Sequence, residues 1–239
     1  MNDLTILYYT ANTIPDIPGQ RIRDYLQKII QNKYPIISVS QKPINLGKNI
    51  CVGQIGRSKY NCYKQILTGT KEVKTKYVAC AEDDTLYPIE HFSYRPRKGY
   101  FSYETNMWYA ADGCYWRWED RNRPLGMWGC IAETKTLLKN MSTRYALYPT
   151  DPLPIKDKDH SKNKGLFWGE PGIHDNLFGM ENRIELFESS EPVVEFLSRE
   201  SMGGRHVIGR YKIHKPEDIA YNLKTFGGIS KLWKEYWVP

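Results

Sequence analysis

The 239 residues carry a net charge of +7, 18 tyrosines and 7 tryptophans, enough for one large domain with a sizeable core. No apolar run can span a bilayer, and the first, residues 4–9, lacks the basic flank and cleavage site of a signal peptide; this excludes a membrane span and leads us to expect a cytoplasmic protein. Five scattered cysteines without a CxxC pair indicate neither a zinc site nor a disulfide framework, and the positive charge points to a polyanionic partner.

Residues 4–10 form a first strand, broken by Thr10-Ala11-Asn12-Thr13-Ile14-Pro15. Ile22, Leu26, Ile29 and Ile30 recur at helical spacing, which predicts an amphipathic helix over residues 21–31. Residues 35–40 read as a second strand, so strand, helix and strand make a βαβ unit with parallel strands. The loop 41–57 is rich in Gly, Asn and Lys and enters a helix near Ser58, a suitable N-cap. A cationic, glycine-rich loop before a helix N-terminus suits a phosphate, although this one is neither a Walker loop nor GxGxxG.

The short apolar run 77–81 reads as a buried strand, and it ends in Glu82-Asp83-Asp84. Three adjacent like charges repel one another, so folding them together calls for a cation. Hard oxygen ligands at the mouth of a strand suit Mg²⁺ or Mn²⁺, and ligands of open α/β sheets gather beyond the strands' carboxyl ends. The competing reading of the same residues is a solvated acidic turn with a capping Asp.

Residues 99–103 and 106–109 are expected strands, followed by the indole-rich Cys114-Tyr115-Trp116-Arg117-Trp118, which suits either stacking on sugars or bases, or packing. Residues 127–132 read as a strand running into a helix over 133–141. Residues 150–164 form a charged connector without a core pattern. Beyond it, Glu170 and Asp175 lie in an apolar, glycine-rich setting, where a desolvated carboxylate becomes a better base. Residues 193–197 are a late strand. Residues 201–211 form a second glycine-rich segment with Arg205, His206 and Arg210, and the tail is aromatic and basic.

Taken together, these pieces resemble the GT-A glycosyltransferases, particularly inverting enzymes of the family-2-like type. The likeness rests on Thr10 and Asn12 after the first strand, Ser40-Gln41 after the second, Gly56-Arg57-Ser58 before a helix, the acidic triplet, Gly169-Glu170-Pro171-Gly172 and the late basic glycine segment. It implies one α/β domain over residues 1–239, a Rossmann-like mixed sheet flanked by helices. Residues 1–90 would be its nucleotide-binding half and 91–239 its acceptor and catalytic half. It also implies a nucleoside-diphosphate sugar, for which UDP-sugar is expected, a divalent metal and a hydroxyl acceptor. By the same resemblance Glu82 reaches the ribose, and Asp84 holds the metal with His206 completing its shell. Thr10, Asn12, Gln41, Asp83 and Arg57 line the nucleotide pocket, and Arg205 or Arg210 clamps the diphosphate. Glu170, or else Asp175, deprotonates the acceptor, with Glu170 preferred because glycines lie on either side.

In size and style the chain is also similar to small GT-A proteins associated with base-hydroxylating enzymes in phages. That likeness implies a 5-hydroxymethylpyrimidine in DNA as acceptor, contacted by Trp116, Arg117, Trp118 and the lysines of residues 156–164. A surface glycan or polysaccharide fits the same residues. A sugar nucleotidyltransferase and a metal-dependent nuclease are the competing classes. The first would open with a glycine- and arginine-rich loop, where this chain has Thr10 to Pro15.

Overall fold

A computed structural model describes residues 3–111, 114–117, 125–150, 169–197, 232 and 235–237. Among them, seven strands form a central mixed sheet in the order β10-β6-β9-β4-β1-β2-β3, flanked by helices. This is the Rossmann-like α/β class expected from the sequence. The central strands β1 (Leu4–Thr10), β2 (Ile36–Ser40) and β4 (Tyr77–Glu82) are parallel. Helices cover both of their faces, so nearly every side chain on them is buried, and the sequence shows a continuous apolar run instead of alternation. β9 (Cys130–Glu133) runs antiparallel between β4 and β6 (Phe101–Glu104), and β10 (Ile184–Phe187) closes the edge.

A second, four-stranded sheet has the order β5-β11-β7-β8, from β5 (Thr85–Leu86), β11 (Val193–Phe196), β7 (Met107–Ala111) and β8 (Cys114–Arg117). Its core joins Leu86, Val194 and Phe196 to Ile14 and Ile22, and Trp237 stacks on Phe196 at 5.2 Å. Leu232, Tyr236 and Trp237 of the tail therefore pack on this sheet.

Helix α1 (Asp16–Ile30) begins five residues before its expected start. Pro18 falls in the first turn, where the missing N–H has no helical partner to lose, so a residue that reads as a breaker is tolerated. Helix α2 (Lys59–Thr70) is capped by Ser58, whose hydroxyl accepts from the Asn61 N–H at 3.1 Å, as the sequence predicts. Gly69 lets α2 lie close to the sheet, since a Cβ there would sit 2.2 Å from Leu7 Cδ1. Helix α3 (Thr134–Leu147) follows β9 directly and runs longer than the expected 133–141. The loop 41–57 contains an unexpected edge strand, β3 (Lys48–Cys51), parallel to β2. Residues 127–129 form a 3-10 turn in place of the expected strand start. No helix among the described residues is long and apolar enough to cross a membrane.

Candidate active site

The carboxyl ends of β1, β2 and β4 converge, as they must when three parallel strands share one register. The last β1–β4 pair is Tyr9 with Glu82, and the Tyr9 hydroxyl donates to Glu82 Oε1 at 2.6 Å. Next along, the Thr10 hydroxyl donates to Asp83 Oδ2 and accepts from the Asn12 N–H at 2.7 Å. Asn12, in the left-handed region at φ 54°, accepts on Oδ1 from the N–H groups of Gln41 and Lys42, both at 2.8 Å, and so ties the ends of β1 and β2 together. Gln41 is buried and holds Gly56 by both polar groups: Nε2 donates to the Gly56 carbonyl at 2.8 Å and Oε1 accepts from its N–H at 3.1 Å. The structure thus gives the Asn12 and Gln41 side chains scaffold contacts, where the resemblance implied contact with the nucleotide. The Gln41 clamp fixes the loop that carries Arg57, which is exposed and whose charge favours ionised Asp83.

Beside this corner opens a cleft of about 470 Å³, lined among others by Thr10, Asn12, Asp83, Arg23, Lys42 and Asn45. The first turn of α1 forms one wall. Polar groups at a strand-end crevice are the usual setting for a ligand in an open α/β sheet.

Burial raises all three triplet carboxyls. Glu82 is pushed up to about 7 by desolvation and by its neighbours Asp83 and Glu170, against the Tyr9 hydrogen bond. Desolvation also lifts Asp83, while Thr10, Arg23 and Arg57 oppose it. Asp84 is 4% exposed and lies well above its ordinary value, through desolvation and then Glu82 and Asp83. One more carboxylate, not singled out in the sequence, joins them. Glu195 on β11 pairs with Thr85, and it too is raised, by burial and then by Asp84 and Glu82. The sequence signal was a lone acid inside the apolar run Val193-Val194-Glu195-Phe196-Leu197.

Glu170 lies near enough to Glu82 to raise it, with His174 Nδ1 3.8 Å from Glu170 Oε2. The glycines beside Glu170 are filled by the chain itself. A Cβ at Gly169 would meet the His174 ring at 2.1 Å, and one at Gly172 would meet the Arg183 carbonyl at 2.6 Å. They serve packing, which corrects the reason for preferring Glu170. Asp175 is engaged on both oxygens. Oδ1 accepts from Arg144 Nη2 at 2.8 Å and Oδ2 from the Gly172 N–H at 2.7 Å, with Arg144 fully buried between the rings of Phe178 and Tyr63. A carboxylate held on both oxygens in this way pins α3 to the segment after Glu170, which leaves Glu170 the freer of the two candidates.

His206, Arg205 and Arg210 lie outside the described residues, as do Trp118 and residues 156–164, and the side chains of Trp116 and Arg117. Among the described residues, no group of three or more His, Cys, Asp or Glu is placed to hold a metal ion. The donors present still fit one. Glu195 Oε2 is buried with no hydrogen-bond partner among the described residues, and the charges that act on Asp84 and Glu195 there are carboxylates.

No protein-family model matches the chain, and no curated protein does. Solved structures with similar folds include a glycosyltransferase involved in the glycosylation of the major capsid of PBCV-1. It is 10% identical over 81% of this chain and 92% of its own, with a TM-score of 0.46. S. aureus TarS 1-349 in complex with UDP-GlcNAc is 12% identical over 92% of this chain and 64% of its own, with a TM-score of 0.46. The bifunctional IspDF from Campylobacter jejuni is 9% identical over 80% and 50%, with a TM-score of 0.37. At these scores the likeness carries no argument about function, which rests on the site.

Proposed function

We propose that the chain is a metal-dependent glycosyltransferase that moves a sugar from a nucleoside diphosphate, UDP first among those to test, to a hydroxyl acceptor with inversion. One observation carries this reading. Glu82, Asp83 and Asp84 crowd the end of β4 beside a cleft walled by the end of β1, the start of α1 and the cations Arg23 and Lys42. Such a corner favours a divalent cation bridged to phosphates, and the cleft has room for a nucleoside.

Asp84 would hold the Mn²⁺ or Mg²⁺, which when bound offsets the charge that develops on the departing diphosphate. Glu82 faces the ribose, oriented by Tyr9. Asp83 and Thr10 line the cleft, with Arg57 held near them by the Gln41–Gly56 clamp. Glu170 is the base: it takes the acceptor's proton as the acceptor oxygen bonds to the anomeric carbon and the bond to phosphate breaks, its electron pair leaving with the nucleotide. His174 orients it. By the resemblance, Arg205 is proposed as a diphosphate clamp and His206 as a further metal ligand.

The acceptor is proposed as a hydroxyl on a glycan or on a hydroxymethylated DNA base. Incubation with each acceptor class, sugar nucleotides and Mn²⁺ separates these outcomes, read as released nucleoside diphosphate. Pyrophosphate in its place would identify a nucleotidyltransferase. Asp84→Asn is expected to abolish metal-dependent transfer in a folded protein, and full activity would refute the reading. Glu170→Gln is expected to lower kcat about 10²- to 10⁴-fold with donor binding unchanged. An equal loss of donor affinity would remove Glu170 from the role of base.

A further inference from the structure

Glu195 has no role in the transfer as described. It reaches the acidic corner from a different sheet: β11 pairs with β5, the two-residue strand that follows Asp84, and the Phe196 N–H donates to the Asp84 carbonyl at 2.7 Å. Along β11, Val194 and Phe196 join the small sheet's core, whereas Val193 belongs to the core of the large sheet. By the two-residue period of a strand, Glu195 shares the face of Val193, toward the end of β4. It is 7% exposed, and Oε2 has no hydrogen-bond partner among the described residues. A buried carboxylate oxygen left unsatisfied is costly, and the other buried acids recruit donors. Glu104 accepts from three backbone N–H groups and the Ser189 hydroxyl, and Asp175 is paired with Arg144. Glu195 instead lies opposite Thr85, whose hydroxyl donates to Asp84 Oδ1 at 3.1 Å.

Resting on the metal-dependent reading above, we propose that Glu195 supplies the second protein carboxylate, with Asp84, to the divalent cation that accompanies the nucleotide. Mg²⁺ and Mn²⁺ are commonly held by one or two carboxylates plus substrate phosphates. Two protein carboxylates, with His206 as proposed above, leave the remaining positions to diphosphate and water. Cation uptake by the free protein is therefore weak and becomes strong once nucleotide is present.

Mn²⁺ titration of the full chain, followed by the loss of the free-ion electron paramagnetic resonance signal with and without UDP, tests this without an activity readout. Wild type is expected to take up Mn²⁺ far more tightly with UDP. Glu195→Gln and Glu195→Ala are each expected to weaken UDP-dependent Mn²⁺ uptake about tenfold or more, since even indirect partners of a metal typically contribute that much. Metal-free UDP binding is expected to stay unchanged. If either variant takes up Mn²⁺ as wild type does while Asp84→Asn loses it, Glu195 is no ligand and the metal-dependent reading stands. If wild type shows no UDP-dependent uptake, that reading falls, and this inference with it.

Discussion

Glu104 at the end of β6 and Asp84 beyond the end of β4 are both strand-end acids removed from water, 2% and 4% exposed, yet their surroundings are opposite. Burial raises Glu104, but His91, the Asn106 N–H and the Ser189 hydroxyl outweigh it, so its carboxyl lies below the ordinary value. Asp84 has the Thr85 hydroxyl at 3.1 Å and otherwise more acids, and it lies well above. A strand-end acid that gathers donors is part of the scaffold; one that gathers other acids is the kind that the proposed cation would relieve. Asp175 belongs to the first kind, with Arg144 as its cation.

The comparison is broken most forcefully at Asp175. Arg144→Met would leave that carboxylate buried and unpaired, a loss of about 3–5 kcal/mol. Calorimetry should show the melting temperature falling by about 10 °C or more. A variant as stable as wild type would mean that the pair is not structural. Glu104→Gln comes next, at about 2 kcal/mol for the loss of charge-assisted hydrogen bonds, read from urea melts. Its pH dependence has a definite sign. The folded carboxyl lies below its ordinary 4.5, so its contribution is full above that value and is lost as the pH falls through the folded one. The gap between wild type and Glu104→Gln is therefore expected to close on acidification below about pH 4.5. The smallest effect sharpens the contrast most. In metal-free buffer near neutral pH, Glu195→Gln is expected to raise the melting temperature by a few degrees, because it removes a buried carboxyl whose ionised form burial and the neighbouring acids disfavour, worth about 1 kcal/mol. A clear drop would place Glu195 with Glu104 among the scaffold acids.

Much of this was legible in the sequence where local chemistry decides. β1, β2 and β4 show as apolar runs because both faces of each are covered, and Ser58 announces its helix by the cap it makes. The triplet is conspicuous because its three charges are adjacent. Edge strands escaped detection: β3, Lys-Asn-Ile-Cys, and β10, apart from Phe187, have partly or fully exposed side chains and no clear apolar alternation. The choice between Glu170 and Asp175 depended on Arg144, 31 residues before Asp175 and on another element, a distance over which sequence pattern carries no signal. Glu195 was hidden for the same reason, since only strand pairing brings it to Asp84.

The missing side chain at Gly69 reaches further than its own turn. It sits near the last residue of α2, about 16 Å along the axis from the Ser58 cap, and the helix rests there directly on Leu7 and Val39. A methyl group wedged in at that end would act on a lever. A tilt of roughly 4° would carry the opposite end, with Arg57 just ahead of it, about 1 Å away from the tip of β1. A single alanine far from any ligand would then detune the pocket, and the compensating change to look for is a smaller residue at position 7.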